Sequence, residues 1–109
     1  MNEILKIYEQ TQKYKYIKEI HLSRSLESYD ELLYDMNLVL SQFPYEYDEV
    51  TILFEGLKDI QLSDLNNCLP IEIKIEDISS YQLENIYFKV EEVGEELFSF
   101  CCRNIRIID

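Results

Sequence analysis

The feature that most constrains this fold is a strict alternation of apolar and charged residues in the segment IEIKIED, residues 71–77. In an extended chain successive side chains point to opposite faces, so the isoleucines share one face and the charged residues share the other. A period of two predicts a β-strand with one buried face and one solvated face. Its predicted inward residues are Ile71, Ile73 and Ile75.

The same period recurs along the chain, in residues 31–42, 48–56 and 85–93. The predicted inward residues there are Leu32, Tyr34, Met36, Leu38 and Leu40; Val50, Ile52 and Phe54; and Ile86, Phe88 and Val90. An earlier stripe is interrupted by a cation and comprises Ile20, Leu22, Arg24 and Leu26. Turn-forming residues 28–30 separate it from the next segment and predict a hairpin.

Two irregularities refine this pattern. Gly56 interrupts its strand, which we expect to continue past a bulge through residues 57–62. In the last segment, LFSFCCRNIRII, the alternation slips after Cys102, so that Ile105 and Ile107 fall out of phase with Phe98 and Phe100. The first dozen residues instead have helical spacing, with Ile4, Leu5, Tyr8 and Thr11 roughly on one side.

Six or seven short strands with polar connections and no intervening helix predict antiparallel pairing. The expected fold class is mainly β (α+β): an antiparallel, meander-like sheet, curled or folded into a sandwich, with a short N-terminal helix. Residues 1–109 are expected to form a single domain. The pattern leaves open whether the sheet closes into a sandwich.

Charge constrains the partners. Ten bases and 22 acids give a net charge of −12, and residues 25–109 hold 19 of the acids. Nucleic acids and anionic membranes bind through cations, so we expect neither as a partner. A basic protein would be attracted, although acidity also serves solubility alone. The charged N-terminus and the lack of a long apolar stretch favour a cytoplasmic protein.

Catalytic and metal-binding patterns are missing from the sequence. His21 is the single histidine, and Cys68, Cys101 and Cys102 lack metal-ligand spacing. We predict no enzyme activity, no metal and no cofactor, and buried free thiols for the cysteines. The competing view, an enzyme using scattered carboxylates, requires a pocket that holds two acids of perturbed pKa.

Binding has a better candidate in FPYEYDEV, residues 43–50, which places two aromatic rings among acids between two strands. Tyrosine is favoured at interfaces, and carboxylates pair with a partner's Lys or Arg. The predicted partner-binding residues are Tyr45, Glu46, Tyr47, Asp48 and Glu49. Alternatively, Phe43 and one tyrosine cap the core, and the acids protect an edge from aggregation. A second acidic cluster, Glu91, Glu92, Glu95 and Glu96, has the pattern of a solvated turn.

The segment EVTILFEGLKDIQL, residues 49–62, resembles a strand of a mostly-β immunity-protein family encoded beside bacterial polymorphic toxins, the class numbered fifty. FSFCCRNIRI, residues 98–107, is similar to that family's closing strand. Where members carry a His-Asp pair, this chain has His21 followed by Leu22. The resemblance spans about residues 20–108 and implies a β-rich domain that neutralises a toxin, but no set of contact residues comes with it.

Charge and resemblance together predict an antitoxin-like immunity protein that binds a cognate toxin, with a basic nuclease domain as the expected partner. The alternative is a small acidic β-domain that serves assembly or homodimerisation, burying one strand face against a second copy.

Overall fold

A computed structural model describes residues 2–24, 34–42, 48–63, 70–78 and 87–108. One helix and seven strands follow in chain order. They are α1 Asn2–Lys13, β1 Tyr16–Arg24, β2 Tyr34–Ser41, β3 Glu49–Leu62, β4 Ile73–Asp77, β5 Phe88–Glu92, β6 Phe98–Cys102 and β7 Asn104–Ile108. All strand pairs are antiparallel, which confirms the predicted fold class. No helix in these ranges has the length and apolar character needed to cross a membrane.

Strand β3 organises the sheet, whose order is β1-β2-β3-β6-β5-β4 with β7 also paired to β3. The first part of β3, residues 49–55, lies between β2 and β7. Its second part, residues 58–62, pairs with β6. The two terminal strands, β1 and β4, do not pair with each other within the described ranges. The sheet therefore folds over at β3 without closing.

The fold-over occurs at Gly56, where the bulge was predicted. Gly56 has a φ of +68°, in the left-handed region that glycine tolerates best. A Cβ there would lie 2.8 Å from both Cγ and Cδ of Arg103. Arg103 itself separates β6 from β7, and its N–H donates to Glu55 O at 2.9 Å. The predicted slip after Cys102 is thus the point where the chain leaves one part of β3 and joins the other.

The core lies between the two halves of the sheet. The Phe54 ring from β3 meets the Phe100 ring from β6 edge to face, with 5.0 Å between centroids. Most predicted inward residues are buried, including Met36, Leu38, Leu40, Val50, Ile52, Phe54, Ile71, Ile73, Ile75 and Val90. Phe88 is half-buried and Tyr34 exposed, while Leu26, Leu32, Ile86 and the turn at 28–30 lie outside the described residues.

Two predicted apolar stripes need correction. In β1, Leu22 and Arg24 are exposed because this strand ends the sheet and, within the described ranges, has β2 as its one neighbour. In α1, Leu5 is 65% exposed, whereas Ile7, absent from the prediction, is fully buried. Successive helical residues are about 100° apart, so Leu5 turns away from the face that holds Ile4 and Tyr8.

Helix α1 covers the outer edge of β4. The Tyr8 hydroxyl accepts a hydrogen bond from Ile75 N at 2.7 Å and donates one to Ile75 O at 3.1 Å. Just before β4, Ile71 N donates to Lys15 O at 2.8 Å. A helix side chain and a connecting backbone group thus occupy the positions that a neighbouring strand would otherwise take.

We expect Tyr8→Phe to lower the free energy of unfolding by about 1–3 kcal/mol, because it leaves the N–H and C=O of Ile75 without their partner in a part-buried site. Urea unfolding of the two proteins measures the difference. Tyr87→Phe is the matched control, since Tyr87 is 43% exposed; it should change stability by no more than about 0.5 kcal/mol. Equal losses in the two variants would contradict the role of Tyr8.

Candidate partner-binding surface

Two of the acids predicted to bind a partner lie at the start of strand β3: Asp48 just precedes the strand, and Glu49 is its first residue. Asp48 and Glu49 are both exposed. Asp48 Oδ2 accepts hydrogen bonds from the Tyr14 hydroxyl and from Gln42 Nε2, each at 3.1 Å. Glu49 Oε2 lies 2.7 Å from Lys18 Nζ. These contacts fix the two carboxylates in place and leave each of them accessible from solvent.

The pairing register explains why these groups meet. Tyr16 lies opposite Ser41, and Ser41 lies opposite Glu49, so β1 begins where β2 ends and β3 begins. The end of α1 brings Tyr14 to the same place. The other predicted residues, Tyr45, Glu46 and Tyr47, lie outside the described residues, as does Phe43. The structure therefore places two of the five predicted contact residues.

The second acidic cluster contains a buried carboxylate. Glu92 is only 2% exposed, which corrects the prediction of a solvated turn for this residue. Its Oε2 accepts from Glu72 N at 2.9 Å and Gly94 N at 2.8 Å. Its Oε1 accepts from Glu95 N at 2.7 Å and Leu97 N at 3.2 Å. One side chain thus ties the β5–β6 turn together and joins it to the segment before β4.

Burial raises the pKa of Glu92, but its four backbone N–H donors outweigh burial and hold that pKa below its ordinary value of 4.5. The sequence did hold a signal for this: Glu92 continues the inward phase of Phe88 and Val90. Three of its donors lie within five residues of Glu92, and the fourth, Glu72 N, comes from 20 residues earlier in the chain. Glu95 and Glu96 are exposed, as predicted.

An acidic hollow lies on the outer face of the half of the sheet that is formed by β4, β5, β6 and residues 58–62 of β3. It has a volume of about 510 Å³ and is lined in part by Asp59, Glu76, Lys89, Glu91 and Cys101. Lys89 Nζ lies 3.7 Å from Glu91 Oε1, so the lysine offsets part of the charge. A second hollow of about 350 Å³ adjoins it and adds Glu96. Acids thus line the outside of this half, where a protein partner can reach them.

The remaining chemistry-bearing residues form no reactive site in the described ranges. Burial raises the pKa of Cys101, with Asp59 adding to the effect, and burial raises that of Cys102 to about 12. Both thiols therefore stay protonated at neutral pH. Both are free thiols as predicted, but only Cys102 is buried and Cys101 is half-buried; Cys68 lies outside the described residues. His21 is exposed on β1, and no group of three metal-ligating side chains occurs in the described ranges.

We expect Glu92→Gln to destabilise the fold by on the order of 3 kcal/mol at pH 7, because the amide nitrogen replaces an acceptor among N–H donors. Since the folded pKa is lowered, the carboxylate stabilises the fold above its unfolded pKa and ceases to do so as the pH falls through the folded value. The difference in the free energy of unfolding between wild type and variant should therefore become smaller in acid. Urea unfolding at several pH values measures it. Exposed Glu95→Gln is the control and should stay near wild type; a pH-independent difference would contradict the role of the charge.

Comparison with known proteins identifies the family. The family model described as Immunity protein PIM8 matches residues 1–107. No curated protein and no solved structure matches the chain. The match confirms the prediction of a polymorphic-toxin immunity protein, while the class number stays a prediction. Since the match covers nearly the whole sequence, the chain belongs to the immunity protein PIM8 family.

Proposed function

We propose that this immunity protein neutralises a cognate toxin by binding it one to one through an acidic surface, without catalysis. The observation that carries the proposal is the family match over residues 1–107, which implies a toxin partner. The net charge of −12 supports an electrostatic mode of association. Charge complementarity mainly raises the association rate and selects the partner.

The partner that fits this charge is a basic toxin domain, and a nuclease meets that description. Nucleases bind polyanionic substrates through cationic clefts, and carboxylates on a rigid sheet would occupy such a cleft in place of phosphates. The same charge disfavours nucleic acid and anionic membranes as partners of this chain. Such an inhibitor would act in the cytoplasm, where a nuclease meets its substrate.

The proposed contact segment comprises residues 45–49. Tyr45 and Tyr47 would supply desolvated anchors and Glu46 an acid at the rim. Asp48 is already held by Tyr14 and Gln42, and Glu49 by Lys18. Carboxylates that are fixed before binding lose less side-chain entropy in the complex, which favours affinity.

We expect co-expression of this chain to rescue cells from the C-terminal domain of the protein encoded immediately upstream, and the two chains to co-purify at a one-to-one ratio. Survivor counts with and without the immunity protein measure rescue, and light scattering of the purified complex measures stoichiometry. Toxicity without rescue, or rescue without a complex, would contradict stoichiometric inhibition of that domain. A homodimer in the purified immunity protein would instead favour the assembly alternative.

We expect Tyr45→Ala combined with Tyr47→Ala to weaken toxin binding at least about 100-fold with unchanged thermal stability. The matched control is Glu76→Gln combined with Glu91→Gln in the acidic hollow, which alters charge away from this segment. Calorimetric titration gives the affinities. Lower stability with unchanged affinity in the tyrosine variant would indicate that these residues belong to the core. A larger loss of affinity in the control variant would indicate that the interface lies at the hollow.

Salt provides a further check on the electrostatic mode. We expect the association rate to fall at least about tenfold between low and high ionic strength, because screening removes long-range attraction. Stopped-flow mixing at several salt concentrations measures that rate. An association rate that does not change with salt would contradict steering by charge.

A further inference from the structure

The terminal strands β1 and β4 differ in whether other described residues cover their outer edges. The edge of β4 is covered by the Tyr8 hydroxyl, which serves both backbone groups of Ile75. Helix α1 also packs against β7. By contrast, no strand within the described ranges pairs with the outer edge of β1. Among the described residues, the helix thus covers the β4 edge and contacts β7, whereas the outer edge of β1 has no strand beside it.

Strand β1 is long and almost continuously paired for a strand at the edge of a sheet. It is nine residues long and is paired with β2 from Tyr16 to Arg24. The register shifts between Ile17 and Glu19, and Lys18 at the shift reaches Glu49. Residues 19–24 beyond this bulge pair without interruption, and all of them except half-buried Ile20 are exposed. A regular stretch of six residues spans about 20 Å.

In such a stretch about half of the residues direct both backbone N–H and C=O away from the neighbouring strand. Those groups form a template for an added strand, and main-chain hydrogen bonds then supply affinity while side chains supply selectivity. Here Ile20 and Leu22 lie on the face shared with Leu38 and Met36 of β2. An incoming strand with apolar residues on that face would extend the core.

We propose that residues 19–24 of β1 form the docking edge for an extended strand of the toxin, which joins the sheet by main-chain hydrogen bonding. This proposal rests on the proposed function, since it names how the same partner is held. The acidic surface attracts the toxin, and the β1 edge gives the complex its register.

Charge favours the toxin over a second copy of this chain as the partner that pairs with the outer edge of β1. Two copies would each bring a net charge of −12. They would also place two β1 strands together, each with the cations Lys18 and Arg24 against one acid, Glu19. Like charges in facing edge strands are a known protection against self-pairing. A toxin strand need not carry cations at the positions that face Lys18 and Arg24, and a toxin that is basic as a whole is attracted by the net charge of −12.

Amide hydrogen exchange tests the proposal. The probe is the C-terminal toxin domain encoded immediately upstream, made inactive by substitution and titrated to saturation. We expect about half of the amides in residues 19–24 to exchange at least about 100-fold more slowly in the complex, since hydrogen bonding protects them. The Ile75 amide is the internal control, because it is bonded to Tyr8 in both states. NMR resolves the individual amides.

The outcomes are distinct. A complex in which these β1 amides exchange as in the free protein overturns the docking edge and leaves the proposed function intact, whereas absence of a complex contradicts the proposed function itself. Protection that appears without toxin and grows with protein concentration identifies a second copy as the occupant and also overturns the proposal.

A pair of proline variants, His21→Pro and Leu22→Pro, provides a second test. Of two consecutive residues, one directs its N–H toward β2 and the other directs it outward. We expect one variant to lose stability and the other to fold normally while binding the toxin at least about tenfold more weakly. Wild-type affinity in the folded variant overturns the proposal, and amide exchange alone decides if neither variant folds.

Discussion

Strand β3 is the element on which the rest of this structure depends, because a single chain segment belongs to both halves of the sheet. Its continuity through Gly56 requires a positive φ, and the Gly56 N–H donates to Asp35 Oδ1 at 3.0 Å. Strands β2 and β7 flank residues 49–55, while β6 pairs with residues 58–62. The contact between Phe54 and Phe100 then holds the halves face to face. A side chain at position 56 would oppose this bend by strain and by contact with Arg103.

The N-terminal helix provides the complementary constraint on the edges of that sheet. It buries Ile7 in the core and uses Tyr8 to satisfy the backbone of β4. An uncovered edge strand is a hazard in any β-protein, since it can pair with other chains. In the part of the chain that the structure describes, the helix contacts β4 and β7, and no strand pairs with the outer edge of β1. For an immunity protein, an accessible edge is useful only if it discriminates among partners, which the charged residues of β1 favour.

The acids of this chain serve different physical purposes. Glu92 is a structural carboxylate, buried and bound by four backbone N–H groups. Glu55 holds Arg106 and Asn104, each at 3.0 Å, across the β3–β7 pair. Glu49 and Asp48 are ordered by neighbours but remain exposed. In the proposed function, the net charge of −12 guides association as a whole, and the acids that are both fixed and accessible define the interface.

The sequence by itself determined the strands and their inward faces, because alternation sets which side of a strand is buried: Leu38, Ile52 and Ile73 followed directly from it. It also located the bend at Gly56 and the slip after Cys102. The tertiary structure alone decided which edge is covered and which acid is buried. Tyr8 and Ile75 are 67 residues apart, and the donors to Glu92 come from both sides of β5. A local period fixes the direction of a side chain, but the partners it meets depend on how distant segments pack.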